Sequence, residues 1–332
     1  MKTSILGAAL VAVAGFAMPA QAAGLLGRYS VSYAKAIDTK EASAVAYNWD
    51  TRTLVVTNDE EEDDGTSIWG EYDLDGNKVA TVTLGGCLSL GAAQCDPEGL
   101  TYVGGGRFVV AEERYQDIAL LSQVGAGGDT RTYTDYDDAP TISIGQTAGN
   151  SGLEGIAYDR RTGLYYGVKE TSPQTLYQVS DVDFGAGTAS VTTLFDPAVL
   201  GLNRLSDIAT LSNKRFGATA FGDHLLILSG RSFLLLEVTK SGTIVGSYDL
   251  SAFKPLVDPA NQGGKFEGLT LDDFGNIYLV SDDGDGPNQS YLVKLGFAGA
   301  VPEPSSWALM VLGFGSVAAA MRRRRRPVAA IG

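Results

Sequence analysis

The chain has 332 residues and a formal net charge of −14, with 39 acidic residues against 25 basic ones, one histidine and two cysteines. That acidity opposes binding to nucleic acid or to an anionic membrane surface, and so few nitrogen and sulfur donors make a poor zinc or copper centre. The length allows one large domain or two small ones.

The first 22 residues have the order of a secretory signal peptide. Lys2 supplies the positive start, residues 5–18 are apolar or small, and Ala20-Gln21-Ala22 gives the small-x-small cleavage pattern. The apolar run is short for a membrane anchor, and no stop-transfer signal follows it. Signal peptidase is therefore expected to leave a mature chain that starts at Ala23.

Residues 23–299 read as strands throughout. Runs such as 53–57, 108–111 and 275–280 are short, β-rich and bounded by Gly, Asp or Asn. Cys87 and Cys95 lie in a Gly- and Ala-rich stretch of this region. In an oxidising compartment they are expected to pair, and closing so short a loop stabilises by roughly 2.5 kcal/mol.

The strands recur in units. Each unit opens on an acid, namely Glu41, Glu98, Glu154, Asp207 and Glu267, at separations of 57, 56, 53 and 60 residues. Each acid precedes a short strand, a polar turn and a second β-rich strand. A third and fourth strand complete most units, as at 67–72 and 78–82. Four antiparallel strands per unit of about fifty residues is the arithmetic of a propeller blade. The last unit stops after three strands, at 290–295, and the run at 28–33 is expected to supply its outer strand. The expectation is an all-β, five-bladed β-propeller with four-stranded antiparallel blades. A β-sandwich would bury as many strands but would not explain the even spacing.

Residues 300–332 form a distinct tail. Pro302-Glu303-Pro304 precedes an apolar run at 307–321 and the arginines Arg322, Arg323, Arg324, Arg325 and Arg326. The run spans only about 22 Å as a helix, against about 30 Å of hydrocarbon. Snorkelling arginines can still hold such a single pass, with its basic end cytoplasmic. The string resembles the PEP-CTERM sorting signal. That resemblance implies handling by exosortase, a membrane enzyme of Gram-negative bacteria that make extracellular polysaccharide. It places the folded domain outside the cytoplasm, at the cell surface or in the matrix, anchored transiently or permanently in the inner membrane. Residues 327–332 depart from the pattern by trailing the basic cluster. Without Lys2, Glu303 and the five arginines, the remaining domain holds 19 basic and 38 acidic residues, a net of −19.

The strand motifs carry a second resemblance. Asp96-Pro97-Glu98-Gly99-Leu100 with Glu112-Glu113-Arg114, Leu153-Glu154-Gly155-Ile156 and Phe266-Glu267-Gly268-Leu269 resemble the SdiA-regulated β-propeller family. The resemblance implies a calcium-associated propeller outside the cytoplasm, with a proposed kinship to phytase-like phosphoesterases. Gly230-Arg231 departs from it, standing where the family often has an acidic pair.

In a propeller the innermost strands line the central channel, so Glu41, Glu98, Glu154, Asp207 and Glu267 are expected near one mouth. A second set closes the next strand of each unit: Asp59 with Glu60, Glu112 with Glu113, Glu170, and Asp282 with Asp283. Gathered carboxylates must take up protons, pair with bases or bind a cation. Ca²⁺, which takes six to eight oxygen ligands, is one remedy. Ion pairs with Arg114, Lys169 and Arg231 are the other. No Gly-x-Ser-x-Gly elbow is present, and His224 would have to serve any acyl-transfer triad. Two functions follow. One is a calcium-binding module for a ligand or the matrix, without catalysis. The alternative is a calcium-dependent phosphoesterase in which Glu98 or Glu154 activates water.

Overall fold

The β-branched and aromatic runs form strands where the sequence places them, and Asx turns set their ends. At Asp73 and at Asp272 one carboxylate oxygen accepts the N–H groups two and four residues on, at 2.8–2.9 Å. The structure, a computed structural model, describes residues 24–59, 66–84, 96–122, 131–133, 139–282 and 289–299. The expected signal peptide, the sorting tail, the expected Cys87–Cys95 bridge, Glu60 and Asp283 lie outside those residues.

The strands make a five-bladed propeller. Blade one orders β2 (Ala42–Asn48), β3 (Thr53–Asn58), β4 (Ser67–Tyr72) and β5 (Lys78–Leu84) from the channel outward. Blade two uses β6 (Pro97–Gly104), β7 (Arg107–Glu112), β8 (Asp117–Ser122) and β10 (Thr141–Ser143). Blade three is β11 (Leu153–Asp159), β12 (Leu164–Lys169), β13 (Thr175–Asp183) and β14 (Thr188–Thr193). Blade four is β15 (Asp207–Thr210), β16 (His224–Ser229), β17 (Leu234–Thr239) and β18 (Ile244–Asp249). Blade five joins β19 (Phe266–Leu271), β20 (Ile277–Ser281) and β21 (Tyr291–Phe297) to β1 (Tyr29–Ala36) from the chain's other end.

That last pairing closes the ring as the sequence predicts. It runs antiparallel from Tyr29 opposite Phe297 to Ala36 opposite Tyr291. The turn before β1 is anchored too. Leu25 N–H donates to the buried Glu237 carboxylate at 2.7 Å, and His224 Nδ1 lies 2.7 Å from the other oxygen of that group. His224 thus serves this latch. One addition was not foreseen: β9 (Arg131–Tyr133) extends blade one as a fifth, parallel strand beside β5.

Packing between blades explains the second strand of each unit. Leu225 and Ile227 of β16 pack towards blade three with Tyr166 and Val168, whereas Leu226 and Leu228 pack towards blade five with Phe266 and Leu279. A strand covered on both faces needs apolar residues at every position, not alternate ones. Trp69 is wholly buried between blades one and two among Val55, Leu100 and Phe108.

Candidate cation site at the channel mouth

The inner strands carry a device that aims their acids. In blade two Pro97 opposes Glu112 and Gly99 opposes Ala111, which leaves Glu98 as the extra residue of a β-bulge. Glu154 and Glu267 are the extra residues of the same irregularity in blades three and five. Such a bulge bends the strand and re-aims a side chain. The glycine that follows has its own cause. A Cβ on Gly99 would lie 2.9 Å from Cα of Gly155, and one on Gly268 would lie 2.7 Å from the backbone N of Val45. At Gly99 and Gly268 the inner strands approach too closely for a side chain.

This register corrects the equivalence of the five acids. Ala42 opposes Asn58 as Pro97 opposes Glu112, which puts Ser43 level with Glu98. Asp207 opposes Leu228 as Gly99 opposes Ala111, which puts Ser206 at that level in blade four. Asp207 occupies the glycine position instead. Its two oxygens accept Ile208 N–H at 2.7 Å and Leu269 N–H at 2.6 Å, stitching blade four to blade five. Burial pushes its pKa well up, against the pull of those two hydrogen bonds. Glu41 has a positive φ of 39° and lies one tier out, level with Asp96 and Lys265. The carbonyls of these three accept the N–H groups of Asp59, Glu113 and Asp282 respectively.

Three glutamates do converge. Glu98, Glu154 and Glu267 are buried and offer oxygens within 4.8 Å of one another. Glu98 is shared with a second group, Asp59 and Asp96, and Glu154 with a third, Glu113 and Glu170, at the same separation. Burial drives the carboxyls of Glu98 and Glu154 well above their usual range. Asp59 and Asp96 add to the shift at Glu98, and Glu98 and Glu170 add to it at Glu154. Asp59 and Glu113 are each pushed up to about 7, by burial first and then by the charge of Asp96. Glu112 also rises to about 7 through burial, but it turns to the β7–β8 corner, where Tyr115 N–H donates to it at 2.7 Å.

The bases around this mouth are largely engaged. Arg114 Nε lies 2.8 Å from Asp96. Lys169 donates to the backbone carbonyls of Ser151 and Thr171, and Arg231 is exposed. Two bases that the sequence did not single out matter more. Arg204 lies 2.6 Å from Glu170, and Lys265 touches Glu267 with Asp282 at 3.5 Å. Burial alone would lower the Lys265 pKa, but Asp282, Glu98 and Glu154 outweigh it and raise it. Aligning the units on Glu-Gly, and not on any acid, would have exposed the position that Lys265 shares with Asp96.

The opposite mouth, where the inner strands end, is built from aromatics and paired charges. Arg160 lies over the Trp49 ring at 5.2 Å, donates to Ser212 carbonyl at 3.0 Å and contacts Asp273. Lys214 adds a second bond to Asp273 at 2.8 Å. Burial would raise Asp273, but Lys214 and Arg160 hold it below the usual carboxylate range.

A family model described as SdiA-regulated matches residues 22–294, and a PEP-CTERM protein-sorting motif matches residues 300–326. Among solved structures, the chain is similar to a luciferin-regenerating enzyme, with 14% identity over 84% of this chain and 97% of that one, at a TM-score of 0.42. It is similar to the β-propeller domain of Cps50 (Swd1) from Myceliophteria thermophila, with 13% identity over 75% and 67%, at 0.38. It is also similar to Sqt1 from Chaetomium thermophilum bound to the N-terminus of ribosomal protein L10, with 14% identity over 76% and 57%, at 0.39. The sorting motif implies export and processing by an exosortase-type enzyme. The chain belongs to the SdiA-regulated family.

Proposed function

We propose that this member of the SdiA-regulated family is a calcium-binding module, displayed at the cell surface or in the extracellular matrix, that recognises a ligand without catalysis. Its sorting tail and signal peptide would deliver it there through the inner membrane. One observation carries the calcium reading. Glu98 is only 9% exposed and its Oε2 has no hydrogen-bond partner among the described residues, while oxygens of Glu154 and Glu267 lie within 4.8 Å. Asp59 Oδ1, in the adjoining group, is likewise buried without a partner. A buried carboxylate oxygen left unpaired is costly. The donors are all hard oxygens, which suits Ca²⁺ and not the softer metals. Glu98, Glu154 and Glu267 would hold the ion, with Asp59, Asp96, Glu113 and Glu170 around them. The ion would supply positive charge and further coordination positions open to the channel.

The phosphoesterase alternative needs bases that can hold phosphate. Lys169 is turned to backbone carbonyls, while Arg114 and Arg204 are paired with Asp96 and Glu170. The exposed Arg231 is the one of the three sequence candidates left for phosphate, which favours binding over hydrolysis. Thermal melting in calcium and in chelator tests the reading. Calcium at a hundred times its Kd should raise Tm by about 5 °C, and Glu98→Gln with Glu154→Gln should abolish the rise. An unchanged Tm would contradict calcium binding. Calcium-dependent phosphomonoester hydrolysis, lost in the same variants, would replace the binding reading with the enzymatic one.

A further inference from the structure

Lys265 is held unusually firmly for a lysine at a channel mouth. Its backbone N–H donates to Asp282 Oδ1 at 2.7 Å, and its carbonyl accepts Asp282 N–H at 3.1 Å. Its side chain, 19% exposed, puts the ammonium against Glu267, with Asp282 Oδ2 at 3.5 Å. It enters from the level that blade two fills with Asp96 and blade one with Glu41. One positive charge therefore sits against a member of the three-glutamate group, while Glu98 Oε2 in the same group has no partner among the described residues.

We propose that Lys265 is a built-in, exchangeable counter-ion that occupies the cation's place in the metal-free protein and sets the affinity of the site. The inference rests on the calcium reading above. An ion bound to Glu267 needs a carboxylate oxygen at about 2.3–2.6 Å, and the ammonium already contacts Oε1 of that carboxylate. Two cations drawn to one carboxylate in a partly dehydrated pit lie a few ångströms apart and repel strongly. Lysine suits exchange because its compact ammonium rides on a flexible four-carbon stem that can swing towards solvent. Arg204 pairs with Glu170, outside the three-glutamate group, and its side chain is 42% exposed, so it need not move.

The two states make opposite demands on this residue. Without metal, Lys265 offsets carboxylate repulsion and stabilises the fold. With metal, it competes. Replacing it with a neutral side chain should therefore lower Tm in chelator while tightening calcium binding, a combination that a purely structural ion pair does not give. Calorimetric titration of the mature domain with calcium chloride, at fixed pH and ionic strength, should show Lys265→Met binding at least about tenfold tighter than wild type. Lys265→Gln should behave alike if the methionine variant folds poorly. In the wild type, acylation of Lys265 by an amine-reactive ester, read by mass spectrometry, should be slow in chelator and several-fold faster in calcium. Unchanged or weaker binding in both variants, or a labelling rate indifferent to calcium, would overturn the counter-ion role while leaving calcium binding intact. Absence of binding heat in wild type and variants alike would overturn both.

Discussion

The two mouths of the channel solve the same electrostatic problem in opposite ways. At the far mouth Asp273 is matched by Arg160 and Lys214, and Arg160 is further pinned by Trp49 and the Ser212 carbonyl. Asp273 there is paired with two bases within the protein, so the cluster acts as a strap across the blades. At the near mouth carboxylates outnumber the bases that reach them, and burial pushes several towards the neutral form. A fold can close a propeller end with ion pairs, as the far mouth does. Leaving the other end unbalanced therefore marks it as the place for something from outside.

The pH dependence of stability should separate the two mouths most widely. Asp59 and Glu113, displaced upward to about 7, bind more protons in the folded than in the unfolded chain between about pH 4 and 7. Their contribution is present at low pH and lost as pH rises through 7, a change on the order of 3 kcal/mol for each group in the metal-free protein. Calcium should flatten that slope. Asp273 has the opposite sign: its folded pKa is depressed, so its contribution is lost only as pH falls below about 4. Denaturant unfolding across pH, in chelator and in calcium, checks both limbs. Next in size, Arg160→Ala should destabilise by about 2 kcal/mol with or without calcium, since it strips one partner from a mostly buried pair. Smallest, Glu98→Gln should stabilise the metal-free protein at pH 8 by about 1 kcal/mol through relief of repulsion. A loss of stability in Glu98→Gln under chelator would erase the contrast between the mouths.

Much of the fold was legible because a propeller repeats its solution. Blades of similar length gave a period, and the missing fourth strand of the last unit pointed to the run that became β1. The site was less legible for a specific reason. A β-bulge adds one residue without changing residue types, so the register at the channel cannot be counted from acids alone. Asp207 carries the expected chemistry at the wrong level, where blades two, three and five have glycine and blade one Ala44, and where it stitches strands together. Ser43 and Ser206 hold the right level without a charge. Lys265 stands two residues before a Glu-Gly pair, as Asp96 does, but a search for acids passes over a lysine; the backbone pairing with Asp282 confirms its level. The fifth strand β9 was invisible because its parallel partner β5 is remote in sequence.

The most direct test of the calcium site is a crystal of the mature domain grown with calcium, with diffraction data collected at long wavelength. An anomalous peak is expected at about 2.3–2.6 Å from oxygens of Glu98, Glu154 and Glu267, with the Lys265 ammonium turned away from Glu267. A mouth without a peak, in which Lys265 still touches Glu267 under saturating calcium, would contradict that expectation.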